Sequence, residues 1–581
     1  MRTPGRRSTV VAMAFASVMA LAVSGCAEIP TSGPVERGDQ VQGTEDEPPV
    51  RVLPRGPVSG QSPTAVVRGF LDASASFEDD HAVARRFLTP QASDLWNPDA
   101  RVTILDDYPR PTLVQAQRNV VLSAHQTASI SGDGAFLPRG GTAFDQKFPM
   151  KKVGEEWRIA KAPRGLILDR IEASLAYRSF DLYFVNASRT FLVPDPVYLP
   201  VEPAGSATSL VKALLQGPTR WLRPAAESLI PAGTHLVVDS VPVENGVAQV
   251  DLSAEFLDAE PEVLPLAAAQ ITTTLLELSS SVSGVAITVE GSPLRPEEPA
   301  VFTADTWEQY ETGALSSALG LLFVRSGSVQ QLDPESLTTG ATRSSPLSGA
   351  LGSGRRDVRD PSQSWDGQTV TALNSSRTKL FITHPGVERG VDSTVDGRRM
   401  LPASIDADGR LWLMDVGRDQ PRLRYLEGGH WSTARLKAPR GTVTSMRVSP
   451  DGTRMALVIQ RGGSTGAGVL VVGRVVGGLK TLRVEAFRRV ERTVSDVTDA
   501  SWADATTLAV VATTGPAPEP MLVNIDRTVT PLSTDVLVSV NNLVGAPGLP
   551  LVADTPRDGL WQSEGADWQT LVRGREPAYP G

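Results

Sequence analysis

The chain has 581 residues, with 56 Lys and Arg against 65 Asp and Glu, a formal net charge of −9, and 41% apolar residues. That length accommodates about three or four domains of ~150 residues, and the apolar content suits buried globular cores. The acidic surplus argues against a nucleic-acid partner, which calls for a basic stripe, and the single cysteine leaves no thiol for a disulfide or a Cys/His metal centre.

Residues 1–25 read as a lipoprotein signal peptide. Arg2, Arg6 and Arg7 precede an apolar stretch from Val10 to Val23, and Val23-Ser24-Gly25-Cys26 forms a lipobox. The apolar stretch is shorter than the ~20 residues a membrane span needs. Small residues admit a peptidase that cuts before Cys26, whose sulfur receives the diacylglycerol. A plain signal with a chance cysteine is the alternative. Removing three arginines takes the net charge from −9 to −12. No polybasic patch then supplements the lipid, so the lipid at Cys26 is the expected anchor, on the extracytoplasmic face of the cell membrane. Residues 26–60 hold the lipidated cysteine and a tether rich in Pro, Gly and charge, including Glu45-Asp46-Glu47-Pro48-Pro49. Such a composition buries too little apolar surface to offset ordering entropy.

Residues 61–168 are expected to form a small α+β domain. Ser62-Pro63 caps a helix in which Val66, Val67, Phe70 and Leu71 recur at helical spacing. A second helix is expected from Asp79, carrying Ala82, Val83 and Phe87, with Thr89-Pro90 stopping it. Strands follow at Val102–Leu105, Val120–Ile130 and Phe144–Met150, and Val153-Gly154-Glu155 turns the chain into Trp157-Arg158-Ile159. Helices followed by a curved meander resemble the cystatin-like, cone-shaped folds in which a helix lies on a bent sheet.

Residues 169–302 form a second α+β unit. A strand runs over Phe180–Val185, and a helix through Leu210–Leu215 stops at Gly217-Pro218. Ile230-Pro231-Ala232-Gly233 leads into an expected strand Leu236–Val241. Asn245-Gly246 is a hairpin signal opening a strand over Gly246–Ser253. A helix Leu264–Leu278 and a strand Val285–Glu290 complete the unit. The helix ending Leu215-Gln216-Gly217-Pro218, the Ile230–Gly233 turn and Ala248-x-Val250-Asp251-Leu252-Ser253 resemble the GerMN domain. That resemblance implies binding or scaffolding near the cell wall, with no catalytic residues to transfer.

Residues 303–581 carry a weak repeat. Trp365-Asp366-Gly367, Asp406-Ala407-Asp408-Gly409, Pro450-Asp451-Gly452, Trp502-Ala503-Asp504 and Asp558-Gly559 mark tight turns spaced by 42, 43, 53 and 54 residues. The first four precede apolar strands at Val370–Leu373, Leu411–Met414, Met455–Ile459 and Leu508–Ala512. A period near 40–50 with several short strands per unit is expected of a β-propeller, here of roughly six blades; an ordinary β-sandwich with Asp-Gly hairpins is the alternative.

Taken in order, lipobox, cone-like domain, GerMN-like domain and propeller resemble the actinobacterial LpqB lipoprotein family. The supporting residues are Ile29-Pro30-Thr31-Ser32-Gly33-Pro34, Phe70-Leu71-Asp72-Ala73, Arg178-Ser179-Phe180-Asp181-Leu182-Tyr183-Phe184 and Pro577-Ala578-Tyr579-Pro580-Gly581. The resemblance implies a non-enzymatic accessory of an envelope-sensing two-component system, contacting the ectodomain of an MtrB-like sensor histidine kinase. It carries over only the lipidation of Cys26. A receptor for cell-wall glycan or peptide is the alternative function, and an envelope hydrolase a second one.

Chemical motifs are weak. Gly462-Gly463-Ser464-Thr465-Gly466 has the letters of a nucleophile elbow, but a β-rich run follows where a helix is required. Ser376-Arg377-Thr378-Lys379 fits Ser-x-x-Lys without the accompanying Lys-Thr-Gly strand. Asp406-Ala407-Asp408-Gly409 begins like a calcium loop but has too few acids and no closing glutamate. His81, His125, His235, His384 and His430 are scattered. No catalytic residue, metal site or cofactor is expected. Trp365, Trp412, Trp431, Trp502, Trp561 and Trp568 read as packing within the propeller, or else as anchors of a binding surface.

Overall fold

The computed structural model describes residues 54–581, apart from residues 78, 108–111, 117, 202–205, 295–299, 312–318, 340–341, 388–389, 463–466, 478–480, 491–492, 514–517, 534–536, 538, 558 and 566. Cys26, the signal peptide and most of the expected tether lie outside the described residues.

In the first domain, helix α1 (Pro63–Ser74) starts as its sequence dictates: the Ser62 hydroxyl accepts from the Ala65 amide at 3.3 Å, and Pro63 occupies the first helical position. Its buried Val66, Val67, Phe70 and Ala73 face a bent sheet, where the Phe70 ring meets Trp96 at 5.2 Å and Phe148 at 6.3 Å. The next helix is shorter than expected. Asp79, Asp80 and His81 have φ of 46°, 53° and 58°, outside the helical region, and α2 spans only Ala82–Arg85. Thr89-Pro90 opens a helix instead of ending one. The Thr89 hydroxyl caps the Ala92 amide at 3.3 Å, and α3 runs over Pro90–Leu95, repeating the Ser62-Pro63 chemistry.

The sheet contains β1 (Arg101–Leu105), β2 (Thr112–Ala116), β3 (Asn119–Ser131), β4 (Phe136–Val153), β5 (Glu156–Ile159) and β6 (Leu166–Asp169). Its order is β5-β4-β3-β1-β6, with β2 on β3 beside β1. β4 is far longer than the expected Phe144–Met150, and a register shift against β3 between Gln126 and Ala128 marks an irregularity in the long pair.

Helix α4 (Arg170–Ala176) leads into the second domain. There β7 (Tyr177–Asn186) and β8 (Leu192–Pro200) form a long antiparallel pair, edged by β9 (Ala226–Glu227). A second sheet has the order β10 (Val243–Glu244), β11 (Val247–Leu252), β12 (Gly284–Val289), β13 (Ser292–Pro293). β11 and β12 are parallel, joined through α6 (Leu264–Leu276), and α5 (Ser206–Leu215) packs beside α6 over β7. The expected strand Leu236–Val241 does not form. Leu236 makes one isolated bridge to Leu252, Ser240 N–H closes a tight turn on the Val238 carbonyl at 2.6 Å, and Val237 and Val238 are exposed. The domain's core continues past residue 302 through Trp307, buried 5.3 Å from Phe302, to Tyr310.

Among the described residues, the C-terminal domain is a propeller of six four-stranded blades, in line with the roughly six expected from the repeat. The innermost strands are Arg575–Ala578, Val358–Gln363, Ser404–Ile405, Thr442–Val448, Val497–Trp502 and Asn542–Val544, each neighbouring the next around a closed ring. The first blade takes its innermost strand from the end of the chain: Leu322–Arg325 pairs with Arg575–Ala578. The third and fourth blades are also joined at their outer strands, by the parallel pairs Arg435–Arg483 and Leu436–Val484.

The repeat has a local cause. Ser364-x-Asp366-Gly367 and Ser449-x-Asp451-Gly452 fold alike. In each, the serine hydroxyl donates to the aspartate and accepts from the amide of Thr369 or Arg454, while the glycine amide returns to the serine carbonyl at 2.9 Å. These turns join the innermost strand to the second. The Asp558-Gly559 spacing is corrected: Gly559 begins the third strand of the last blade, and the equivalent turn lies at 545–551, closed by Leu549 N–H on the Ala546 carbonyl at 3.1 Å.

Candidate interaction site at the domain junction

Elements of the three domains converge on one junction. The hairpin between β7 and β8 is tied by Asn186, whose Oδ1 accepts from the Thr190 and Phe191 amides at 3.0 and 3.1 Å. This preset loop presents donors to the propeller. Ser188 Oγ and Thr190 Oγ1 each donate to the Asp408 carboxylate at 2.6 Å, and Asn186 Nδ2 reaches Asp408 at 3.3 Å and the Asp451 carbonyl at 3.3 Å. Behind Asp451, Arg454 is 1% exposed. It donates to the Asp451 carboxylate at 3.2 Å and to the Pro194 carbonyl of β8. Asp406 faces inward and accepts from Trp412 Nε1 at 3.0 Å and from the Arg410 amide at 2.8 Å. The acids of the calcium-like turn are thus engaged by protein donors.

The first domain joins through Gly134, whose carbonyl accepts from Tyr198 N–H at 2.9 Å. Its φ is +77°, and a Cβ there would stand 2.8 Å from Val197 Cβ, so close approach requires glycine. Asp133 accepts from the Arg220 amide at 3.1 Å, and the Phe136 and Tyr198 rings lie 5.0 Å apart. Tyr198 in turn donates to the Asp526 carbonyl of the propeller at 3.3 Å. Trp221 Nε1 donates to the Ala486 carbonyl at 2.8 Å, Arg474 donates to the Trp221 carbonyl at 2.6 Å, and the Arg488 guanidinium lies 5.0 Å from the Trp221 ring centroid.

Between these groups is a cavity of about 70 Å³, lined among others by Phe136, Asp195, Tyr198, Trp221, Arg454 and Arg488. Asp195 is fully enclosed. Burial pushes its carboxyl up to about 6, against the opposing pull of the Thr219 amide at 2.7 Å, the Arg454 charge and the Thr219 hydroxyl at 3.1 Å. Burial likewise lowers Arg488 to about 10.

A raised carboxyl pKa means that the folded protein holds the proton more tightly than the unfolded chain. The associated stability is therefore present below about pH 4 and is lost as pH rises towards about 6. Asp195→Asn should remove that contribution, worth up to about 3 kcal/mol. Thermal midpoints measured from pH 4 to 7 are expected to fall less steeply in the variant than in the parent. Asp406 and Asp554, also raised to about 6 by burial, act in the same direction in both proteins and cancel in the comparison. Equal slopes would refute the assignment.

Elsewhere the sequence-derived candidates disperse. Ser464 and most of its glycine-rich turn lie outside the described residues. Ser376–Lys379 turns between two strands of a blade, with Asn374 Oδ1 accepting from the Thr378 and Lys379 amides at 2.8 and 2.9 Å. Trp365 and Trp502 donate to the Ile405 and Arg447 carbonyls of neighbouring blades, and Trp568 to Ser533. Trp412 is fully buried, while Trp431 and Trp561 are half-buried. Acids on the innermost strands are partnered within a blade or across to the next. Arg377 grips Asp360 through two bonds at 2.7 and 2.9 Å, Glu576 accepts from Arg359 at 2.8 Å and from the Asp360 amide at 2.9 Å, and Asp499 accepts from Asn542 and Ser445 at 3.2 Å. Among the described residues, no group of three His, Asp or Glu is arranged to hold a metal, and no helix is long and apolar enough to cross a membrane. The residues that sequence reasoning missed are Asp195, Trp221, Arg454 and Arg488. Asp195, Trp221 and Arg488 sit in no motif, Arg454 only closes a local turn with its amide, and each gains its role at the junction from a neighbour distant in the chain.

Comparison with known proteins follows the same division. Residues 56–174 match the family model described as "Lipoprotein LpqB, N-terminal domain", 181–295 the model described as "Sporulation and spore germination", and 336–580 the "Lipoprotein LpqB beta-propeller domain". The Lipoprotein LpqB of Thermobifida fusca (strain YX) is 31% identical, covering 99% of this chain and 100% of its own, and that of Streptomyces avermitilis is 28% identical, covering 99% of each. Among solved structures, TolB from Acinetobacter baumannii aligns over 52% of this chain and 84% of its own, at 15% identity and a TM-score of 0.34. The first GerMN domain of the sporulation protein GerM from Bacillus subtilis aligns over 22% and 98%, at 23% identity and a TM-score of 0.19. With a relative of this identity matched from end to end, and two family-specific domains in the order in which the fold presents them, the chain belongs to the LpqB lipoprotein family.

Proposed function

We propose that this protein acts without catalysis, as a lipid-anchored contact body on the extracytoplasmic face of the cell membrane, and that it biases the ectodomain of a sensor histidine kinase. The observation that carries this reading is the junction: first domain, second domain and propeller are fastened by Gly134–Tyr198, Asp408 with its three donors, and Arg454–Pro194. A body fixed in this way presents one constant surface. Tighter contact with one kinase state than with the other shifts the kinase population by that differential affinity. The Ser-x-x-Lys and calcium-like motifs are spent on turns and docking, which supports a role in contact. Cys26 supplies the anchor, in keeping with membership of a lipoprotein family.

The test is in-cell crosslinking of the full chain, affinity capture from membranes and mass spectrometry. Capture of a sensor kinase is the expected result. Capture of wall polymer alone, or of nothing specific, would overturn the kinase reading. For the anchor, Cys26→Ala should give an unprocessed or soluble protein, and a variant cut at the normal site that still partitions into detergent would refute lipidation.

A further inference from the structure

We propose that the junction cavity binds an oxyanion: a carboxylate or phosphate group carried by a small solute or by the headgroup of a larger envelope molecule. Four arginines, Arg454, Arg488, Arg489 and Arg527, line the cavity against two aspartates, Asp195 and Asp526. Both aspartates already accept from the chain: Asp195 from Thr219, and Asp526 from the Thr528 amide at 2.8 Å. Two of the arginines keep unused capacity. Arg454 is 1% exposed, and its Nε has no hydrogen-bond partner. The Arg488 guanidinium rests on Trp221, and no ion pair or hydrogen bond of its side chain occurs among the described residues. The open donors are therefore the buried Arg454 Nε and the Arg488 guanidinium, and a planar fork matches the paired oxygens of a carboxylate or phosphate. A cavity of about 70 Å³ admits such a group rather than a drug-sized molecule. Trp221, Tyr198 and Phe136 supply apolar walls for the atoms that carry it.

Because the lining comes from all three domains, an occupant would brace the junction, and its binding free energy would appear as stability. The site is independent of the kinase proposal, since it concerns a small ligand and stands or falls on the cavity alone.

The experiment titrates the detergent-solubilised full chain by calorimetry and thermal shift with inorganic phosphate, acetate and glycerophosphoglycerol, each against chloride at equal ionic strength. Saturable binding of phosphate or acetate, with a raised thermal midpoint, is expected. Arg488→Gln should weaken it at least tenfold, and Arg488→Lys should retain part of it. Tighter binding of glycerophosphoglycerol than of phosphate would identify a lipid headgroup as the source, and the reverse order a free solute; either supports the site. No binding by the parent chain beyond that of chloride would overturn the proposal, as would unchanged affinity in a folded Arg488→Gln. The parent titration decides the matter even if that variant fails to fold.

Discussion

Deleting residues 575–581 should open the propeller and leave the C-terminal domain protease-sensitive, without its cooperative thermal transition. The removed segment contains the innermost strand of the first blade, so Leu322–Arg325 would become an unpaired edge facing the channel. The closure is also bonded to both flanking blades. Glu576 accepts from Arg359 and from the Asp360 amide on one side, while its own amide donates to Asp554 at 3.1 Å on the other. Tyr579 is buried, and its hydroxyl reaches the Pro550 carbonyl at 2.8 Å. A blade has two apolar faces that only its neighbours cover, so losing the clasp exposes more than one strand. Tyr579→Ala alone should cost about 3 kcal/mol through the lost ring and hydroxyl bond. Limited proteolysis and calorimetry of the truncated chain check this result. An unchanged transition would mean that the ring is held without its clasp.

That clasp shows where the sequence was legible and where it was not. Ser364-x-Asp366-Gly367 and Ser449-x-Asp451-Gly452 could be recognised because every bond that makes those turns lies within a few residues. The same locality made Ser62-Pro63 readable, and the same rule applied to Thr89-Pro90 would have found α3. In the last blade the turn at 545–551 lacks the Asp-Gly pair, whereas Gly559, which follows an aspartate, starts the third strand. Leu236–Val241 has the composition of a strand, yet β11 offers it only one bridging position, and the chain turns away at Val238. The junction was illegible for a different reason. Arg454 follows a recognisable turn, but nothing near it in sequence announces Pro194, and Asp408 sits in a turn that begins like a calcium loop although its partners are Asn186, Ser188 and Thr190. Side-chain types could be read, but their convergence from three domains could not.

Arg454→Ala should therefore be the most damaging single substitution at the junction, costing about 3–5 kcal/mol, as expected when one partner of a buried ion pair is removed. The side chain donates to Asp451 and, across the seam, to Pro194. Its loss strands the Pro194 carbonyl and leaves a void where a large buried side chain stood. Asp451 keeps the Ser449 hydroxyl at 2.7 Å and the Thr453 amide and hydroxyl at 2.7 and 2.6 Å, so the turn itself should survive. The damage then falls on the seam between second domain and propeller. Calorimetry is expected to show one transition splitting into two, the signature of domains that have lost their coupling. The Arg454 charge also lowers the Asp195 carboxyl, so its removal should raise that pKa further and steepen the fall of stability between about pH 4 and 7. Arg454→Lys keeps the charge but not the fork that reaches Asp451 and Pro194 together, and should fall between parent and alanine variant. If alanine leaves a single transition with the parent's midpoint, Arg454 fills space at the seam without fastening it, and the fixed junction on which a constant contact surface depends must be held by Asp408 and Trp221 instead.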